Sequence, residues 1–180
     1  MVSMIRNRLK ILVPAVILMI IAFSSTVFAA GYVYDDAGLF YEIDITGLQT
    51  QAKELSDKTG WDVIVATTSD AQGKTAAAYA DDYYNTIGGE NGVLYLVDMD
   101  NGELYISTSG QAINYLTDKR IATMLDSAIG YAYDGDFYQA VSDEISMTSS
   151  YYDAGIPNTN ERTTSVLTVV AAAIIVGAIV

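Results

Sequence analysis

From Gly31 to about Tyr152 the spacing of apolar residues alternates between helical and strand-like. Ile45, Leu48, Ala52 and Leu55 recur at the interval of one helix face, and Gly60 closes the run. Trp61 to Thr68 is β-branched and mostly apolar, the pattern of a buried strand. Ala76, Tyr79, Ala80, Tyr83 and Ile87 mark a second helix that stops at Gly88-Gly89, and Gly92 to Met99 reads as a second buried strand. Asn101-Gly102 is a two-residue hairpin signal, so Glu103 to Ser109 is expected to return antiparallel. Ile121, Leu125, Ala128, Ile129 and Ala132 give a third helix, and Phe137, Val141, Ile145 and Thr148 a fourth. The strand–helix–strand part predicts a parallel pair joined by a right-handed crossover. The fold class expected is α/β: a small mixed β-sheet flanked by helices, a Rossmann-like sandwich, without internal repeats.

Both ends are apolar and differ from this middle. Arg6, Arg8 and Lys10 precede the apolar run Ile11 to Phe23, and Val27-Phe28-Ala29 has the small-residue spacing of a signal-peptidase site. Residues 1–29 are thus expected to be a signal peptide, with an uncleaved anchor helix as the alternative. Residues 30–152 form the α/β domain, 153–164 a polar tether and 165–180 a C-terminal transmembrane helix. A buried core helix is the alternative for that last run. The run is shorter than the ~20 residues a bilayer requires, which points to a longer protein continuing past Val180. The expected placement is a single-pass cell-membrane protein with its domain on the extracytoplasmic side.

Charge narrows the chemistry. The chain carries 9 basic and 22 acidic side chains, for a net charge of −13. Without residues 1–29 the balance is 6 against 22, or −16. Nucleic-acid binding needs clustered Lys and Arg and is disfavoured. There is no Cys and no His. That excludes disulfides, thiol nucleophiles, Cys-ligated metals and a Ser-His-Asp triad. Oxygen ligands remain, and these suit calcium, with magnesium as the alternative.

The expected topology gathers some of those oxygens. The second helix should return its acids, Asp81 and Asp82, towards the start of the second strand, where Glu90 and Asn91 sit. The hairpin brings the chain back to the same rim before Thr117-Asp118 opens the third helix. Asp82, Glu90, Asn91 and Asp118 are therefore candidate cation ligands. The alternative is that Thr117 or Asp118 merely caps its helix and Asp81-Asp82 face water. The 14 tyrosines are expected as half-buried rings on helix faces rather than a ligand platform.

Four segments carry a family resemblance. Tyr34-Asp35-Asp36-Ala37-Gly38-Leu39, Glu90-Asn91-Gly92-Val93-Leu94, Leu116-Thr117-Asp118 and Gly135-Asp136-Phe137 resemble, in order, the motifs of the TPM domain (TPM_phosphatase) family. Glu90 stands where that family has Asp. The resemblance implies an extracytoplasmic α/β sandwich with a divalent-cation site, and its acidic motif positions fall on Asp35, Glu90, Asp118 and Asp136. Asp35 enters the candidate ligand set on that basis alone, since the expected topology puts it at the opposite end of the sheet. Plant members are linked to acid phosphatase activity and photosystem repair.

Two functions follow. The first is a membrane-tethered, cation-binding module that docks onto an envelope or membrane protein. The second is a weak, metal-dependent phosphatase acting on phosphomonoesters. For the second no catalytic residue is assigned. Arg120 and Lys119 are the only cations near Asp118, and the Ser107-Thr108-Ser109 hydroxyls lack an identified base. The acidic surface repels a phosphate dianion.

Overall fold

The computed structural model describes residues 31–158 and 173–174. The expected signal peptide and most of the expected tether and transmembrane run lie outside these residues. Among the described residues no helix is long and apolar enough to cross a membrane. Ala173–Ile174, inside the run expected as a transmembrane helix, forms a two-residue strand.

The chain order is β1 (Gly31–Asp35), α1 (Glu42–Thr59), β2 (Asp62–Thr68), α2 (Ala76–Ile87), β3 (Gly92–Asp98), β4 (Glu103–Ser109), α3 (Ala112–Tyr115), α4 (Asp118–Tyr133), α5 (Phe137–Ala154) and β5 (Ala173–Ile174). The strands lie side by side in chain order. β1, β2 and β3 are parallel, β4 returns antiparallel, and β5 pairs Ala173 with Leu104 and Ile174 with Glu103. This is the mixed sheet between helices that the sequence predicts, with β1 added at one edge.

Strand alternation divides the core into two layers. Val63, Val65, Val93, Tyr95, Val97, Leu104 and Ile106 face α1, α4 and α5. Ile64, Ala66, Leu94 and Leu96 face α2, through Ala76, Tyr79, Ala80 and Tyr84. Burial on both faces explains why β2 and β3 read as continuous apolar runs rather than alternating ones. The parallel β2–β3 pair is the one expected, and β1 adds a second crossover, β1–α1–β2, that the sequence reading did not include. β1, β2 and β3 advance across the sheet in one direction, yet α1 and α2 cover opposite faces. The two crossovers therefore have opposite hands, and the right-handed rule holds for only one of them.

The hairpin is also longer than expected. Asp98 pairs with Glu103 across a four-residue loop, 99–102. Asp98 is fully buried. Its Oδ1 accepts the Asp100 and Asn101 amides, each at 3.0 Å, and its Oδ2 accepts Asn101 Nδ2 at 2.6 Å. Asn101 thus works through its side chain, while Gly102 supplies the left-handed turn at φ 68°.

The sheet has two distinct ends. Gly31, Asp62, Gly92 and Ser109 mark one, and Asp35, Thr68, Asp98 and Glu103 the other. α1 and α5 finish together at the first end, where Lys58 Nζ meets Asp153 Oδ2 at 2.7 Å.

Candidate functional site

The resembling segments act first as parts of the fold. Asp35 ends β1, and its Oδ1 and Oδ2 accept the Leu39 and Phe40 amides, both at 2.9 Å. The Thr67 hydroxyl donates to the same Oδ1 at 2.6 Å. Gly38, at φ 67°, turns the chain around this carboxylate. Asp136 caps α5 by accepting the Gln139 amide at 3.0 Å, after Gly135 at φ 78°. Asn91 ties two segments together. Its side-chain oxygen accepts the Gln111 amide at 2.8 Å, and its carbonyl accepts the Asp62 amide at 2.9 Å. Gly110, at φ 59°, passes so close that a Cβ there would run into the Glu90 carbonyl and the Asn91 amide oxygen. A Cβ at Gly92 would strike the Asp62 carbonyl and the Tyr84 hydroxyl.

The candidate ligands are placed as follows. Glu90 and Asn91 do reach the rim at the start of β3, where the Ser109 hydroxyl donates to the Glu90 carbonyl at 3.1 Å. Asp118 opens α4 and is exposed. Asp82 projects from α2 and pairs with Lys74 at 3.1 Å. Asp35 sits at the other end of the sheet. Among the described residues no three acidic side chains gather as a metal-holding group. A resident divalent cation does not fit this set: Asp82 would have to leave Lys74, and Asp35 would have to release two amides.

Asp81, the neighbour of Asp82, takes the more central position. The Ser107 hydroxyl, on β4, donates to Asp81 Oδ1 at 2.8 Å. Tyr105 stands two residues earlier on the same face of β4. Burial raises its phenol, and the Asp81 and Asp118 carboxylates push it the same way. Asp81, Ser107, Tyr105 and Asp118 thus form one acidic, hydroxyl-bearing patch at the β4 edge. Sequence reasoning missed the Ser107–Asp81 contact because it joins residues on different elements, 26 positions apart. No further proton acceptor is bonded to this serine among the described residues: its one side-chain hydrogen bond is the one to Asp81.

Four of the basic side chains are engaged within the fold; Lys119, exposed beside Asp118, is bonded through its backbone carbonyl, to the Thr123 hydroxyl. Lys53 pairs with Asp57, Lys58 with Asp153 and Lys74 with Asp82. Arg120 Nη1 donates to the Tyr115, Tyr151 and Gly155 carbonyls at 3.0, 3.3 and 2.9 Å, with its guanidinium 4.7 Å from the Tyr151 ring centre. It fastens the end of α5 to α3. A cleft of about 510 Å³ runs between α1 and α5. Its polar lining is largely bonded within the protein: Gln51 to Tyr138 and Ser142, and Lys58 to Ser149 and Asp153.

The TPM domain family model matches residues 33–151. The chain belongs to the TPM domain family. The relative UPF0603 protein YdjH of Bacillus subtilis (strain 168) is 28% identical over 125 residues, which is 69% of this chain and 48% of the relative. The chain thus spans about half the length of that relative. Among solved structures, this TPM domain resembles the N-terminal domain of a protein from P. gingivalis, with TM-score 0.62 and 15% identity over 69% of this chain and 83% of that one. It also resembles the N-terminal domain of cg2496 protein from Corynebacterium glutamicum, with TM-score 0.58 and 15% identity over 76% and 89%. At these identities the likeness is one of fold.

Proposed function

We infer that this TPM domain is a non-catalytic docking module, held at the outer face of a membrane, whose acidic surface engages an envelope or membrane protein. One observation carries the reading. The motif aspartate Asp35, one of the four acidic positions that the family resemblance marks, has both oxygens engaged by backbone amides and the Thr67 hydroxyl. Its removal from those bonds would undo the first turn, so the motif supports a scaffold rather than a reaction. Lys53, Lys58 and Lys74 are paired with carboxylates and Arg120 with backbone carbonyls, so none of them supplies a bidentate clamp for a phosphate beside Ser107. What remains outward is negative charge and isolated apolar side chains, Tyr41 at 80% and Ile43 at 75% exposure. Those features suit recognition of a complementary protein surface.

The alternative, a cation-dependent phosphatase, draws on the Ser107–Asp81 contact. It requires a metal or a basic partner to offset the local acidity.

Site-specific photo-crosslinking in native membranes tests the docking reading. Probes would replace Tyr32, Tyr41, Ile113 and Tyr131 in turn. The expected result is the same discrete protein adduct from adjacent positions and none from the remaining face. Absence of a discrete adduct from every position would overturn the reading.

A further inference from the structure

β1 is the edge strand of the sheet. Among the described residues it pairs with β2 alone, so one side of its backbone presents unpaired amide and carbonyl groups. Open edges of this kind accept an added strand from another chain. The two side-chain rows of β1 differ sharply. Val33 points into the α1 layer. Tyr32 and Tyr34 point to the α2 side, with ring centres 6.0 Å apart. Tyr83 of α2 meets Tyr34 edge-on at 5.9 Å and stacks on Tyr79 at 5.8 Å. Tyr32 is 43% exposed.

This row carries a charge of fixed sign beside it. Asp36 is exposed just past β1. It lies close enough to Tyr83 that, after burial, its carboxylate is the next cause of that phenol being pushed up to about 12. The amides and hydroxyl of the first turn go to Asp35 and not to Asp36. Aromatic faces beside a carboxylate attract Lys and Arg side chains. An added strand presents every second side chain to one face. The complement of this edge is therefore a strand whose basic residues alternate with apolar ones: cations over the tyrosines, and aliphatic groups towards the α1 side. The −16 balance of the chain after residue 29 steers such a segment inward.

We propose that the free edge of β1, backed by Tyr32, Tyr34 and Asp36, receives an extended segment of a partner protein in which Lys or Arg alternates with apolar residues. The proposal rests on the docking reading and names its surface and partner chemistry.

The test uses the full chain and an alternating Lys-Val octapeptide, with an alternating Glu-Val octapeptide as control. Binding of the Lys-Val peptide should protect from hydrogen exchange those amides of Tyr32–Tyr34 that face away from β2, and the Glu-Val peptide should not. Tyr32→Ser should weaken binding by roughly two- to fivefold, the size of an exposed cation–π contact. Asp36→Asn should weaken it further and flatten its salt dependence. No binding, protection elsewhere on the sheet, or equal binding by the Tyr32→Ser/Asp36→Asn double variant would overturn the proposal. A photo-adduct from Tyr41 or Ile113 but none from Tyr32 would leave the docking reading standing while removing β1 as its surface.

Discussion

Thr67 and Asp35 hold the first turn of the domain together: the Thr67 hydroxyl donates to Asp35 Oδ1 at 2.6 Å and accepts the Ala37 amide at 3.0 Å. Thr67 is buried, so Thr67→Val preserves its shape and removes only the hydroxyl. The Ala37 amide then loses its acceptor and Asp35 a donor. The expected cost is about 1–3 kcal/mol, measured by urea unfolding. A loss within experimental error would show that water replaces the hydroxyl and that this turn is not what the Asp-x-Ala-Gly segment encodes.

Gly110 predicts a second stability effect, at the opposite end of the sheet. Its φ of 59° and the crowding by Glu90 and Asn91 both exclude a side chain. Gly110→Ala should cost more than the ~1 kcal/mol typical of a helix-interior substitution. Gly130, which has open space around it inside α4, serves as the comparison, and Gly130→Ala should be neutral or stabilising. Equal effects at the two positions would contradict the close packing of the rim.

Glu144 gives the pH dependence. It is buried in α5, one of its oxygens has no partner, and burial, then the Asp143 charge, raises its carboxyl well above the ordinary range. The folded chain therefore binds a proton that the unfolded chain releases. That contribution is complete below the unfolded carboxylate value near 4.5. It falls as pH rises towards the folded value, and the protein loses stability across that window. Glu144→Gln removes this slope and should raise stability at pH 8 by about 1–2 kcal/mol. Thermal melts of parent and variant from pH 5 to pH 8 measure it. Parallel pH profiles would show that Glu144 is ionised in the fold.

Calcium and magnesium supply a further test. Asp118, Asp82, Glu90, Asn91 and Asp35 share no common shell in this fold, so neither ion should produce a saturable rise in melting temperature that depends on Asp118. Asp118→Asn and Asp126→Asn should respond to calcium alike, as a general effect on an acidic surface. A saturable response lost only in Asp118→Asn would restore the ligand set expected from sequence.

The two helical layers and three of the strands were legible in sequence because long apolar runs and helical spacing are local signals. β1 was not. It is five residues long and alternates Tyr with Val, and its residues read as a motif before they read as a strand. α3, a single turn of four residues, is too short for any period. The site was harder still. Spacing placed Asp118 at a helix start and Glu90-Asn91 at the rim. Whether an acid faces a ligand or a backbone amide depends on distant partners. Asp35 meets Thr67, Asp82 meets Lys74 and Asp81 meets Ser107, and none of these pairings leaves a mark in the local pattern. The Asn101-Gly102 signal was real, but Asp98 widened the turn by drawing two amides onto its carboxylate.

Phosphomonoester hydrolysis by the full chain, with calcium or magnesium present, tests the central claim most directly. The fold engages Asp35, three lysines and Arg120 in structure, so turnover should stay below the ordinary enzyme range of ~1–10³ per second and be unchanged in Ser107→Ala and Asp81→Asn. Turnover within that range, abolished by either substitution in a protein that still melts cooperatively, would contradict it and make the Ser107–Asp81 patch an active site.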